Sequence, residues 1–302
     1  LKGNLLEQEK KGMLENWLLI GGSLAYLSAL GITLSQLARR KGPRHGLNLF
    51  IILFGWVLQS SGLWLLGMDA GSCPIRNFFE ILQFVSWSIV VVYLFTGQVF
   101  RLSLFGTGSA TLAALIGLVA IFIPNKSAIS DASFLGTDPR IEAHAALALF
   151  SYGIFGLIAV LSALYLMQNY SLKKKKHTGI FRFLPSIIEM DTVLLRLLFM
   201  ACIIYSISIG IGALYWFANM EQIGLLKLST TLALWIAYWL VLILRLLNQL
   251  MGSNLAKVCI GLMAAALLIL WPVESSRHTD AAALPGDPQS YLTTPTSPDN
   301  AR

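Results

Sequence analysis

Charge is scarce in this chain: Asp, Glu, Lys and Arg supply 12% of its 302 residues, against 56% hydrophobic. Soluble domains carry about twice that charged fraction. So little charge cannot cover so much apolar surface in water, which excludes an ordinary soluble fold and points to a chain immersed in lipid. Cysteine is scarce as well. Cys73, Cys202 and Cys259 lie far apart, with no CxxC or metal-like spacing, so neither a disulfide framework nor a zinc site is expected. The four histidines include no i,i+4 pair, which argues against a metal transporter or a hydrolase. A glycine-rich phosphate loop and a nucleophile elbow are also missing. The net charge is +7, but the basic residues sit in short loops without interleaved aromatics. They report membrane topology and not a nucleic-acid surface.

What the chain has in abundance is apolar runs of membrane length. Residues 1–15 are polar and charged, with Lys2, Glu7, Glu9, Lys10, Lys11 and Glu15, and read as an exposed lead-in. Spans follow at roughly 16–38, 47–67, 78–97, 103–123, 142–168, 191–216, 228–248 and 255–272. Each is close to the ~20 residues that a helix needs to cross a bilayer. The first is long enough to cross, and no signal-peptide cleavage site accompanies it. The expected fold is an all-α polytopic bundle of about eight transmembrane helices over 16–272. Segment 273–302, rich in Pro, Ser, Thr, Ala and Asp, reads as a disordered tail.

Basic clusters set the orientation. Arg39, Arg40, Lys41 and Arg44 follow the first span, and Arg101 follows the third. Lys173 to Lys176 with Arg182 follow the fifth, and Arg245 and Lys257 flank the turn between the seventh and eighth. All fall on one side, which the positive-inside rule makes cytoplasmic. Both termini and the loops 68–77, 124–141 and 217–227 are then expected outside.

The fifth span organises the rest. It opens on Glu142-Ala143-His144 and closes on the tetralysine run. An acid and an imidazole at the mouth of a membrane helix are a site candidate, because ionisable groups there are costly to bury. The bland alternative is a solvated pair in the headgroup zone. Glu80 lies one turn into the third span, with Arg76 four residues before it. That spacing suits an outer-rim ion pair or a buried structural anchor. Glu189 and Asp191 precede the sixth span, where acids favour the helix dipole, and Arg196 is placed to pair with Asp191 or to snorkel. Trp216, Trp235 and Trp239, with Tyr215 and Tyr238, read as an interfacial belt or as a platform for a flat apolar ligand.

Several of these pieces, taken in order, resemble one family. Asn77-Phe78-Phe79-Glu80 with Phe84-Val85-Ser86-Trp87 is similar to the Asn-Leu-Tyr-Glu-Ser…Phe-Leu-Ser-Trp segment of CcsA-type cytochrome c assembly proteins. His144 with Ser151-Tyr152 resembles that family's His-Val-Ser…Ser-Tyr helix. Glu189 to Gly212 resembles its Asp/Glu…Tyr-Arg…Gly-Ala helix, and Trp235, Tyr238 and Arg245 resemble the end of the next one. The resemblance covers about residues 47–265.

The resemblance implies an integral membrane protein, of the bacterial inner (plasma) membrane, that receives heme b and presents it at the outer face. There it supports covalent attachment to a CxxCH apocytochrome c, as a delivery factor more than as an enzyme. It makes His144 the expected axial ligand of the heme iron, through a neutral imidazole, with Glu142 or a nearby carbonyl orienting the other ring nitrogen. Trp216 becomes a wall of the cofactor site, and Glu80 a rim residue grouped with it. A second membrane protein of the maturation system and the apocytochrome are the implied partners. The chain departs from the family at the Trp-rich signature loop, where Tyr215 to Lys227 keeps only the lysine. Gln59 and Ile243 stand where the family often has histidines, and His278 is the C-terminal histidine nearest to the second outer ligand. Two other readings stay open: a relative that keeps the fold as a non-heme partner or regulator, and a small-molecule transporter. The chain shows neither an inverted repeat nor a broken helix pair to favour transport.

Overall fold

The computed structural model describes residues 2–39, 42, 44–100, 103–123, 139–175, 184, 186–216 and 225–282. Within them the chain is helical throughout: α1 Lys2–Ala38, α2 His45–Ala70, α3 Phe78–Phe100, α4 Ser103–Ile121, α5 Pro139–Lys173, α6 Ile187–Trp216, α7 Leu225–Leu246 and α8 Gly252–Ala282. All eight are long and apolar enough to cross a membrane. The expected spans are borne out, and the protein is an integral membrane helix bundle. The polar residues from Lys2 to Glu15 continue the helix of the first span, and Glu15 itself is buried. α8 runs past residue 273 to Ala282. The rest of the expected tail, 283–302, lies outside the described residues, as do Arg40, Lys41, Arg101, Lys176, Arg182 and loop residues 217–224.

Short polar signals end the helices. Gly71, at φ +63°, closes α2 in the left-handed conformation that glycine adopts freely. Asn77 caps α3, its Oδ1 accepting from the Glu80 N–H at 2.9 Å. Ser186 and Glu189 form a reciprocal capping box at α6, each side chain accepting the other's N–H at 3.2 Å. Glu189 thus has the N-terminal role expected of it.

The bundle has two halves. α1 to α4 pack on one another, α5 packs on α6 and α8, and α7 lies on α6 and α8. α5 joins the halves by packing against α3 and α4. The spanning stretch of α3 is 72% buried and that of α7 28%, so α3 is central and α7 faces mainly lipid. At the α3–α5 seam a Cβ on Gly153 would collide with Ser88 Oγ. The two backbones approach this closely only because the residue is glycine, the small-residue contact that packs membrane helices.

Buried polar ties hold the first half. Tyr26 of α1 donates to Gln59 Oε1 of α2 at 2.9 Å. Gln59 Nε2 lies within hydrogen-bond distance of the Gln83 carbonyl, Gln83 Oε1 and Ser86 Oγ of α3. Gln83 and Ser86 in turn donate to the carbonyls of Gly117 and Ala113 in α4. Nearer the other end, Asn48 Nδ2 reaches both Thr33 and Thr107. Such groups must be paired inside lipid.

Contacts across the bundle confirm up-and-down threading. Lys11 at the start of α1 pairs with Asp69 at the end of α2. Asp191 at the start of α6 pairs with Arg245 at the end of α7. Asp191 thus takes a cation from the neighbouring helix, and Arg196 is exposed one turn further along α6.

Candidate functional site

Four chain segments meet at the end of the bundle that the charge rule places outside: the end of α2 with loop 71–77, the start of α3, the start of α5 and the end of α6. Pro139 opens α5, where a missing N–H costs no helix hydrogen bond. Five residues on, His144 points across to α6. Its Nδ1 lies 2.7 Å from the Ser208 carbonyl oxygen. The Ser208 hydroxyl donates to the His144 carbonyl at 2.8 Å and lies 3.1 Å from Nδ1. A carbonyl only accepts, so Nδ1 carries the proton and the neutral ring keeps its lone pair on Nε2. Among the described residues nothing hydrogen-bonds Nε2.

The imidazole fits there because Gly212 has no side chain. A Cβ at Gly212 would stand 2.7 Å from His144 Nδ1. One turn further, Trp216 meets the imidazole edge to face, with ring centroids 5.3 Å apart. Ser208, Gly212 and Trp216 fall at i, i+4 and i+8, one stripe of α6 that cradles a residue of α5. The spacing is visible in the sequence, but its partner is not. His144 and Trp216, expected together, are together. The orienting carbonyl comes from another helix and not from Glu142.

Glu142 turns instead to the loop, where its Oε2 accepts the Cys73 N–H at 3.4 Å. Glu80 has no exposed surface. Arg76 gives it guanidinium bonds at 2.9 and 3.3 Å and its backbone N–H at 2.8 Å, and Asn77 Nδ2 adds a fourth at 3.1 Å. Both readings of Glu80, ion pair and buried anchor, describe the same arrangement, and both of its oxygens are taken up. The acid-base cluster of Lys11, Glu15 and Asp69 beside Arg76 went unread in the sequence, since its members come from distant segments.

Trp235 and Trp239 form neither a belt nor an open platform. Both indole N–H groups donate to Ser206 Oγ of α6, at 2.8 and 3.1 Å. Tyr238 is buried and stacks on Phe155 of α5. These aromatics tie α7 to the bundle. His278 lies on the far part of α8, its side chain outside the described residues.

Cys73 sits in the loop beyond the spans. Burial, then the Glu142 and Glu80 carboxylates, push its thiol from an ordinary 9.0 up to about 11. The reactive thiolate is thereby made about a hundredfold rarer at neutral pH. Alkylation by iodoacetamide should follow pH with a midpoint near 11, and Glu142→Gln should lower that midpoint. A midpoint near 9 in the unaltered protein would contradict this geometry.

The fold and site define a polytopic membrane protein in which one histidine is held between two helices, at the end of the bundle that the charge rule places outside. The chain belongs to the cytochrome C assembly protein family, whose model matches residues 75–278. It is 28% identical over 178 residues to Protein HemX of Brevibacillus brevis, covering 59% of this chain and 64% of that protein. It is 24% identical over 202 residues to Protein HemX of Bacillus subtilis, covering 66% and 72%. It is 30% identical over 117 residues to the cytochrome c biogenesis protein CcsA of Cyanidium caldarium, covering 37% and 38%. The match thus spans slightly under two thirds of the Brevibacillus protein's length.

Proposed function

We propose that this chain handles heme b at the outer face of the membrane during cytochrome c maturation, and that His144 would hold the heme iron through Nε2. The observation that carries the reading is the Nδ1–H bond to the Ser208 carbonyl. Metal-binding histidines are characteristically held this way, the second nitrogen bonded and the first left free. Heme b would supply the iron that accepts the imidazole lone pair and the porphyrin that is joined to an apocytochrome c. Trp216 would wall the site beside the ring. Glu80 would serve it from the rim, by fixing Arg76 and the loop through Cys73.

One histidine would suffice to hold heme iron. A second membrane protein of the maturation system would then complete the site and receive the cofactor with the apocytochrome. Family membership and the likeness to a cytochrome c biogenesis protein support this assignment. The relatives from Brevibacillus brevis and Bacillus subtilis support placement in a bacterial plasma membrane.

A non-heme partner or regulator is the second reading, and Gln59 favours it. Where the family often carries a histidine, this amide is fully engaged in a buried network. The test is the absorption spectrum of the detergent-purified protein, oxidised and reduced, beside His144→Ala. A Soret band lost in the variant is the expected result. A folded, monodisperse protein that takes up no heme after loading would leave the partner reading standing.

A further inference from the structure

A second group of charges sits at the same end of the bundle as His144, in the first half. Lys11 and Glu15 lie four residues apart on α1, so their side chains share a face. α2 runs antiparallel along that face, with Gly62 against the Glu15 backbone: a Cβ there would stand 3.3 Å from the Glu15 carbonyl oxygen. Asp69, two turns on from Gly62, continues the same stripe of α2 and meets Lys11 in an ion pair. This register brings the Glu15 and Asp69 carboxyls within hydrogen-bond reach of each other. Their surroundings differ. Glu15 is 6% exposed, whereas the Asp69 and Lys11 side chains are 38% and 46% exposed.

Two ionised carboxylates cannot hydrogen-bond each other, since each only accepts. A bond between them needs one proton held in common, the arrangement that like charges at close range impose. The proton belongs on Glu15. Among the described residues no donor reaches Glu15 Oε1, which is enclosed by protein, and an ionised oxygen so enclosed would be costly. Asp69 keeps its charge against the Lys11 ammonium. The guanidinium within reach of the pair, Arg76, is bonded to Glu80. With Glu15 neutral, these two cations and the two remaining carboxylates cancel. α4, which also packs on α1, brings no titratable side chain over Ser103–Ile121.

We infer that Glu15 and Asp69 share one proton, and that this proton latches the start of α1 onto the end of α2 at the outer surface. Asp69 opens the pair to water on that side, so the latch follows the outer pH. It is closed while the proton is bound. Loss of the proton as the pH rises sets a second negative charge in a buried position beside Asp69, and the two helix ends are driven apart. Asp69 lies two residues before the Gly71 turn, so the latch acts on the loop that carries Cys73 and Arg76. It is independent of the heme reading.

Infrared absorption of the detergent-purified full chain tests it. At neutral pH the unaltered protein should show a protonated-carboxyl carbonyl band, sensitive to deuterium exchange, that is missing in Glu15→Gln. Asp69→Asn should keep the band and shift it, because Glu15 then donates to an amide oxygen. Unfolding in a graded denaturing detergent gives a second measure. The unfolded chain releases the shared proton at neutral pH, so stability should fall as the pH rises, by up to about tenfold in the unfolding equilibrium per pH unit. In Glu15→Gln, whose amide copies the neutral acid, that slope should flatten. No band difference between the parent and Glu15→Gln would mean that Glu15 is ionised, and overturns the proposal. A band unmoved in Asp69→Asn overturns the sharing, and decides the matter even if Glu15→Gln fails to fold. A pH slope identical in the parent and Glu15→Gln overturns the latch. Loss of the band on adding calcium or magnesium at neutral pH would make the pair a cation site, and would also overturn it.

Discussion

If His144 holds heme iron as proposed, Gly212→Ala is expected to weaken heme binding by about ten- to a hundredfold, the usual loss when the group that orients a metal-binding histidine is disturbed. The new methyl carbon would sit 2.7 Å from His144 Nδ1, well inside contact distance. Its neighbour is a ring whose Nδ1 is bonded to the Ser208 carbonyl, so the ring must leave the carbonyl that fixes its tautomer. Intrinsic helix propensity pulls the other way, since alanine is favoured over glycine in a helix by about 1 kcal/mol. A loss of affinity in a variant that is as stable as the parent would therefore isolate the clash. Heme titration followed by absorbance measures it. Ser208→Ala keeps the carbonyl and should cost less. Unchanged affinity in Gly212→Ala would mean that His144 does not hold the iron in this geometry.

The second large effect is on stability. Glu80→Ala should destabilise the protein by roughly 3 kcal/mol, the lower end of what removing one partner of a buried ion pair costs. The lower end applies because the Arg76 side chain remains 25% exposed while Glu80 is fully buried. The loss strands a guanidinium, the Arg76 N–H and the Asn77 amide together. Glu80→Gln, which keeps an acceptor, should cost less. Adding Arg76→Ala to Glu80→Ala should recover part of the loss, since it removes the stranded charge. Unfolding in a graded denaturing detergent reads all four proteins. A Glu80→Ala variant within about 0.5 kcal/mol of the parent would behave like an ordinary surface change and would contradict the anchor role.

What the sequence made legible follows from the range of each interaction. The eight helices could be read because a lipid-spanning segment must be apolar for ~20 residues, whatever its neighbours. Arg76 with Glu80, and the cap at Glu189, could be read because their partners lie within one helical turn. The Asp191–Arg245 pair joins α6 to α7, and no local pattern announces it. The tryptophans at 235 and 239 are alike: aromatic spacing suggested a belt or a platform, but Ser206 on a different helix decided their role. For His144, the sequence pointed to the residue and its neighbour Trp216. That a distant carbonyl, and a glycine's missing side chain, would fix the ring was a property of helix packing alone.

The amide network of the first half bears on how the protein is made. As α1 and α2 leave the ribosome, Gln59 has Tyr26 beside it, but its remaining partners, Gln83 and Ser86, are still to be synthesised. Asn48 likewise waits for Thr107 of α4, with only Thr33 at hand. The nascent hairpin therefore carries polar side chains that lipid alone cannot satisfy, and it will stay close to the insertion machinery until the next two helices arrive. A chain that stops after residue 70 should be an early substrate for membrane proteases, while one that continues through residue 123 carries every partner of these two polar networks.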